Sequence, residues 1–191
     1  QNNYKVNEVI GDRESTEDLN KLSSNYWDCV IDTCGYLPRV VEKSCSALIN
    51  NVHHYCFIST TCVYKHNNGV INNEESATHQ LADPENEDIT LDRYGGLKVL
   101  CENVVKMHFP ENHLILRPCV IIGSEDHTER FAFWVREITR AKGKFPMIGM
   151  PDRTIQLIDV EDLTSFTAKL IENQILGTIN IAGDPISFSS F

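Results

Sequence analysis

Short apolar runs alternate with longer amphipathic stretches along this chain, and that alternation predicts its architecture. Cys29-Val30-Ile31 forms the heart of a run over 27–32, the length of a buried strand, and 54–59 repeats that texture. Between them, Val40, Val41, Ala47 and Leu48 fall at roughly helical spacing across 38–50. Residues 94–108 form the clearest helical segment, with Leu97, Leu100, Cys101, Val104 and Val105 on one stripe and Pro110 as the stop. Residues 113–116 read as the next strand, ended by Arg117-Pro118. Upstream, 7–12 reads as a short strand closing in a Gly-Asp turn, and 14–22 as a helix capped by Ser15 or Thr16. After Gly123 the texture changes. Phe131, Trp134, Val135 and Ile138 mark an amphipathic helix, 143–152 is a Gly/Pro-rich loop, 155–159 a strand, 162–173 a helix and 178–182 a last strand.

Strands that are apolar throughout and joined by helices predict an α/β fold, a doubly wound parallel sheet. Such sheets bind ligands at the C-terminal ends of their strands. Asp12, Gly35, Thr60 and Cys119 all fall at or just past such ends. The polar stretch 65–93, with turn signals at Asn67-Asn68-Gly69 and Asp83-Pro84, is too long for a simple connection. It links a strand end to the clearest helix, so it is expected to be mobile and to border the site.

Composition narrows the function classes. The 191 residues suit one domain or one domain with a small appendage, and 41% hydrophobic with 23% charged residues is ordinary for a globular protein. A net charge of −10 argues against nucleic acid, because neutralising phosphates needs clustered Lys and Arg. No apolar run reaches membrane-spanning length. The seven cysteines form no Cys-x-x-Cys pair, so neither a zinc site nor a disulfide framework is signalled, and a reducing, cytoplasmic compartment fits. The seven histidines show no metal-ligand spacing. His53 and His54 adjoin in a strand entry, where neighbours point to opposite faces, and both read as structural or exposed.

Two segments carry chemistry. Tyr94-Gly95-Gly96-Leu97-Lys98 sets a phenol and an ammonium four residues apart, on one face of a helix. The lysine charge favours phenolate and lowers a pKa that is otherwise near ~10. Ser59-Thr60-Thr61-Cys62-Val63-Tyr64 puts hydroxyls at the end of an apolar strand, where one can hold a substrate oxygen while the tyrosine moves a proton. The bare Tyr-x-x-x-Lys spacing is weak, and an exposed helical pair has the same form. The order of the surrounding elements is the stronger signal.

In that order the chain resembles the extended short-chain dehydrogenase/reductase superfamily, its NAD-dependent epimerase/dehydratase group, from about Val9 to Gly183. Phe57 to Tyr64 is similar to the strand that carries the family's active-site Ser or Thr, which puts that role on Thr60, and Tyr94 and Lys98 match the catalytic tyrosine and lysine. Leu116 to Gly123 is similar to the segment that packs against the nicotinamide, with Pro118 and Cys119 nearest it. Ile158 to Leu163 and Ile179 to Gly183 resemble two late family motifs. The resemblance implies a Rossmann-like dinucleotide-binding domain over residues 1–123 and a partial, small substrate-binding region over 124–191 that returns elements to the core. It implies NAD or NADP as cofactor and hydride transfer at an alcohol or carbonyl of a small molecule. Asp12 would accept from the adenine amino group, and Arg13, Cys34, Gly35, Tyr36, Ser59 and Lys98 would line the cofactor. For Asp12 a turn-forming role, and for Cys119 core packing, stand beside these readings.

The family's Gly-rich phosphate-binding turn is missing, and Gly11 stands where its third strand would end. The expectation is that about fifty residues precede Gln1, judged from the length of a βαβ unit plus a strand, and the alternative is that the chain has lost a standard cofactor site. The position that in many nucleotide-sugar members holds a diphosphate-forking arginine falls in Ile155-Gln156-Leu157, with Arg153 too early, so a UDP-sugar is not supported. The run from Trp134 to Pro151 is closer to bacterial reductases of the superfamily. A different class, a non-catalytic nucleotide- or RNA-binding protein on the same fold, is weighed against the retained Tyr94/Lys98 pair and the lack of a basic patch. A homodimer is left open as the assembly.

Overall fold

A computed structural model describes residues 6–65, 72–126, 128–141 and 154–187. Strands β1 (Trp27–Asp32), β2 (Val52–Ile58), β3 (His113–Pro118) and β7 (Gly177–Ile181) form one sheet in that spatial order. All three pairings are parallel. The crossovers between neighbouring strands carry α2 (Pro38–Leu48), α3 (Leu91–His108) and, between β3 and β7, α5 (Val160–Glu172).

The two-residue period of the strands sorts the core onto both faces of the sheet. Tyr55, Phe57 and Ile115 point to one side, where they pack with Val41, Cys45, Cys101, Val105 and Phe109 of the α2–α3 layer. Tyr55 and Phe109 stack there with ring centroids 4.8 Å apart. Cys56, Leu114, Leu116 and Ile181 point to the other side and meet Leu163 and Leu170 of α5. A sheet covered on both faces needs continuous rather than alternating apolar strands, which is the pattern of β2 and β3.

Most elements fall where the periodicity puts them. Helix α1 (Thr16–Ser23) takes Ser15 as its cap, its side chain accepting from the Asp18 N–H. Helix α3 starts at Leu91, one turn earlier than the apolar stripe shows, because Leu91 and Asp92 in its first turn face solvent and add nothing to the stripe. The amphipathic helix expected around Trp134 is α4 (Arg130–Arg140). His53 is exposed and His54 buried, as alternation requires, and burial lowers the His54 pKa.

Two expectations are corrected. Residues 7–12 form no strand: Val9 and Ile10 are exposed, and β1 hydrogen-bonds only to β2 among the described residues. The end of this segment is taken up by turn partners instead: the Asp12 N–H donates to Asp18 Oδ2 and the Asp12 carbonyl accepts from the Ser15 N–H, both at 2.9 Å. The run 155–159 is two strands, β5 (Thr154–Ile155) and β6 (Leu157–Asp159), broken at Gln156, whose side-chain amide donates to the Gly183 carbonyl at 2.9 Å. Val120–Ile122 is an additional strand, β4, paired in parallel with β6, whereas β5 pairs antiparallel with β8 (Ile186–Ser187). The Gly/Pro-rich loop 143–152 lies outside the described residues.

Candidate functional site

The candidate site is built where β1 and β2 end and α3 begins. Beyond β2, Thr60 opens a single 3-10 turn (Thr61–Val63), its Oγ1 accepting from the Cys62 N–H at 3.1 Å. Helix α3 sits directly against this turn. A Cβ on Gly95 would stand 2.1 Å from the Cys62 carbonyl oxygen, so only glycine permits the approach that brings the first turn of α3 to the hydroxyl-bearing strand end. Gly96 makes the corresponding space for Leu81 of the 65–93 stretch.

Lys98 lies one turn further along α3 and is 3% exposed. Its Nζ donates to the Gly35 carbonyl at 2.7 Å and the Ile58 carbonyl at 2.8 Å, the ends of β1 and β2. It also sits 4.1 Å above the Phe57 ring and 5.7 Å from that of Tyr36. Burial pushes the ammonium down to about 8, while Cys101, Asp32 and Glu102 pull it back up.

The structure brings several sequence-predicted residues to the end of β1. Arg13 forks onto Asp32 at 2.8 Å to both carboxylate oxygens, and reaches the Cys34 Sγ at 2.9 Å and the Ser44 Oγ at 3.0 Å. Burial alone would raise the Asp32 carboxyl, but the Arg13 fork outweighs it and holds the carboxyl below the usual carboxylate range. Cys34 and Tyr36 are exposed beside it, and Gly35 is buried. At the end of β3, Pro118 is buried, and the Cys119 N–H donates to the Ile181 carbonyl at 2.9 Å.

Other residues have local partners. The Asp12 Oδ1 accepts from the Glu14 N–H at 2.8 Å, a turn formed within its own segment. The Ser59 hydroxyl faces inward and donates to Glu102 Oε1 at 2.6 Å. Tyr94 is half-buried, and among the described residues no hydrogen bond joins Thr60, Tyr94 and Lys98 to one another.

One buried cluster carried almost no sequence signal. Arg117 pairs with Glu102 through its Nε at 2.9 Å and its Nη2 at 2.6 Å. Its Nη1 donates to the Tyr64 hydroxyl at 2.8 Å, and that hydroxyl donates to Asn180 Oδ1 at 2.6 Å. Glu74 joins from the 65–93 stretch, its carbonyl accepting from Arg117 at 3.2 Å and its carboxylate from the Asn180 N–H at 2.8 Å. The only hint was Glu102 on the apolar side of its helix, one turn after Lys98.

These elements define a Rossmann-like α/β protein with a buried lysine at its strand ends. The sequence model of the NAD dependent epimerase/dehydratase family matches residues 34–182, and the chain belongs to that family. Solved structures share the fold at low identity. UDP-N-acetylglucosamine 4-epimerase from Bacillus cereus superposes with a TM-score of 0.70 at 16% identity, covering 93% of this chain and 63% of its own. UDP-glucuronic acid 4-epimerase from Bacillus cereus, in complex with NAD, gives 0.70 at 20%, covering 93% and 61%. RMD from Pseudomonas aeruginosa, complexed with NADPH, gives 0.71 at 19%, covering 100% and 73%. The chain thus spans about three fifths of the length of the two epimerases. A comparison with curated proteins found no match. Among the described residues no group of three or more His, Cys, Asp or Glu could hold a metal ion, and no helix is long and apolar enough to cross a membrane.

Proposed function

We propose that this protein is an NAD(P)-dependent oxidoreductase of the epimerase/dehydratase kind, acting on an alcohol or carbonyl of a small molecule. Thr60, Tyr94 and Lys98 are its catalytic residues. The observation that carries the reading is the buried Lys98 ammonium at the joined ends of β1 and β2, on the face of α3 that Tyr94 shares. A lysine this deeply buried against two carbonyls and two rings is held in one position, where a surface lysine would be mobile.

The residues fit the nicotinamide and ribose part of a dinucleotide. Two of the three Lys98 N–H groups go to backbone carbonyls, which leaves the third for a ribose hydroxyl. Cys34 and Tyr36 are exposed at the adjoining strand end, and Pro118 and Cys119 lie at the end of β3. Arg13, Asp12, Ser59 and Gly35 are the remaining candidates for this lining. A nicotinamide bound there supplies or accepts hydride at a substrate carbon. Tyr94 exchanges the proton of the substrate oxygen. The Lys98 charge favours phenolate in Tyr94, and with a pKa of about 8 the lysine is mostly charged at neutral pH. Thr60 orients the substrate oxygen. One lone pair of its Oγ1 is taken by the Cys62 N–H, and its own O–H is left to donate.

The test is fluorescence titration of NADH and NADPH into the full-length product of the reading frame, wild type and Lys98→Met. The expected result is saturable binding of one cofactor, weakened roughly tenfold or more by the substitution. Binding of neither, in a protein that melts cooperatively, overturns the reading and favours a non-catalytic binding protein on this fold.

A further inference from the structure

The turn that leads from β1 to Lys98 is built around one carboxylate. Asp32 is the last residue of β1 and is buried. Its Oδ1 accepts from the Cys34 N–H at 3.2 Å, which closes the turn on its own side chain. Its Oδ2 accepts from the Tyr55 hydroxyl at 3.0 Å, tying the carboxylate to the core beneath α2 and α3. Arg13, from the segment before α1, forks onto both oxygens at 2.8 Å. A carboxylate this deep is kept only where hydrogen bonds and a counter-charge replace its hydration, and here both are present.

Gly35 comes directly after that turn. A Cβ there would lie 2.5 Å from the Phe57 ring, 2.7 Å from Val41 and 3.2 Å from Asp32 Oδ2, so its backbone is pressed against β2, α2 and the carboxylate together. The Gly35 carbonyl accepts from Lys98 Nζ at 2.7 Å, and the Phe57 ring lies 4.1 Å from the same nitrogen. Phe57 is also the residue that pairs with Asp32 across β1 and β2. Carboxylate, carbonyl, ring and ammonium thus form one contiguous unit, in which Asp32 reaches the lysine through Gly35.

The charges around Lys98 single out this pair. On α3, burial pushes the Cys101 thiol up to about 12, so it is uncharged, and Glu102 is matched by Arg117. The end of β1 contributes Asp32 and, 5.7 Å away, the Tyr36 ring, while the segment before α1 contributes Arg13. Asp32 favours the ammonium and Arg13 opposes it, so removing each pushes Lys98 in opposite directions.

We propose that Asp32 is a positioning residue for Lys98: its turn aims the Gly35 carbonyl at the ammonium, and its charge keeps that ammonium protonated, with its third N–H group directed to the bound cofactor. The proposal rests on the oxidoreductase reading for what Lys98 holds, but the hold itself does not depend on it. The test uses the full-length product of the reading frame as wild type, Asp32→Asn and Arg13→Met, each with and without Lys98→Met. Urea midpoints are followed from about pH 6 to about pH 11. The folded chain gives up the Lys98 proton before the unfolded chain does, so stability owed to the lysine begins to rise at its folded pKa, about 8 in the wild type. The difference between each protein and its Lys98→Met partner reads that onset.

The expected onset moves down by roughly half a pH unit or more in Asp32→Asn and up in Arg13→Met. A merely structural Asp32 lowers stability at every pH and leaves the onset where it is. An onset that moves in neither variant, or in the same direction in both, overturns the proposal. Where Asp32→Asn does not melt cooperatively, the direction of the Arg13→Met shift decides. Titration of NADH and NADPH over the same pH range separates the two readings. Shifted onsets in a protein that binds neither cofactor overturn only the oxidoreductase reading, and cofactor binding with unshifted onsets overturns only the positioning role.

Discussion

Two arginine–carboxylate clusters lie near Lys98, and they solve different problems with the same chemistry. Arg117 and Glu102 are 4% and 1% exposed, and their network joins β3, α3, the ends of β2 and β7, and Glu74 of the 65–93 stretch. Arg13 and Asp32 are 24% and 4% exposed, with the exposed Cys34 thiol as a third partner. In the first pair almost every polar atom is satisfied by protein, which is what makes a buried charge pair tolerable. In the second, one side opens to solvent at the strand ends where a ligand is assigned. The closed cluster is a joint of the fold, and the open one is a wall of the site.

The largest effect expected is on the closed cluster. Glu102→Gln leaves Arg117 buried without its counter-charge, so stability should fall by about 3–5 kcal/mol. Urea denaturation measures it, and the double variant Glu102→Leu/Arg117→Met should recover part of the loss. A loss below about 1 kcal/mol would break the distinction between the clusters.

Lys98 comes next, and pH reads it. Its folded-state pKa of about 8 lies below the unfolded value of 10.5, so between these the unfolded chain holds a proton that the folded chain gives up. Stability owed to Lys98 therefore rises as pH climbs from about 8 to about 10.5, by on the order of 1–3 kcal/mol. Lys98→Met lacks this rise, so the difference between wild type and variant in urea midpoints at pH 7.5 and 10.5 isolates it. Turnover that depends on the ammonium should fall above about pH 8.

The open cluster should matter less. Asp32→Asn should cost about 2 kcal/mol at neutral pH. Because the folded carboxyl titrates below its unfolded value near ~3.9, this contribution is full above about pH 5 and disappears as pH falls through the folded pKa. Melting of wild type and variant at pH 7 and pH 3 should show the gap closing. The smallest change in stability belongs to Tyr94→Phe, about 1 kcal/mol or less, because the ring's packing is kept. Its turnover should nevertheless fall by roughly 10² to 10⁴. A stable variant with unchanged turnover would remove Tyr94 from the mechanism.

The sheet was legible because its strands are apolar throughout and its helices carry stripes. These are local patterns set by burial on one face or two, and β1, β2, β3 and β7 follow them. The Tyr94–Lys98 spacing and the strand-end hydroxyl of Thr60 were legible for the same reason, since helical period and strand ends are properties of short segments. What the chain alone could not decide was pairing. Whether 7–12 becomes a strand depends on a neighbouring edge, and the break at Gln156 depends on the Gly183 carbonyl, distant in sequence. The partners of Arg117 are likewise spread from Tyr64 to Asn180, so only the folded chain could show that a strand-ending arginine is the hub of a buried network. The direction of the Ser59 hydroxyl and the depth of Lys98 belong to the same class. Periodicity reports which face of a segment is buried, but hydrogen bonds and ion pairs between distant segments are chosen by tertiary packing, because desolvation makes each buried polar atom take whichever partner the fold brings within reach.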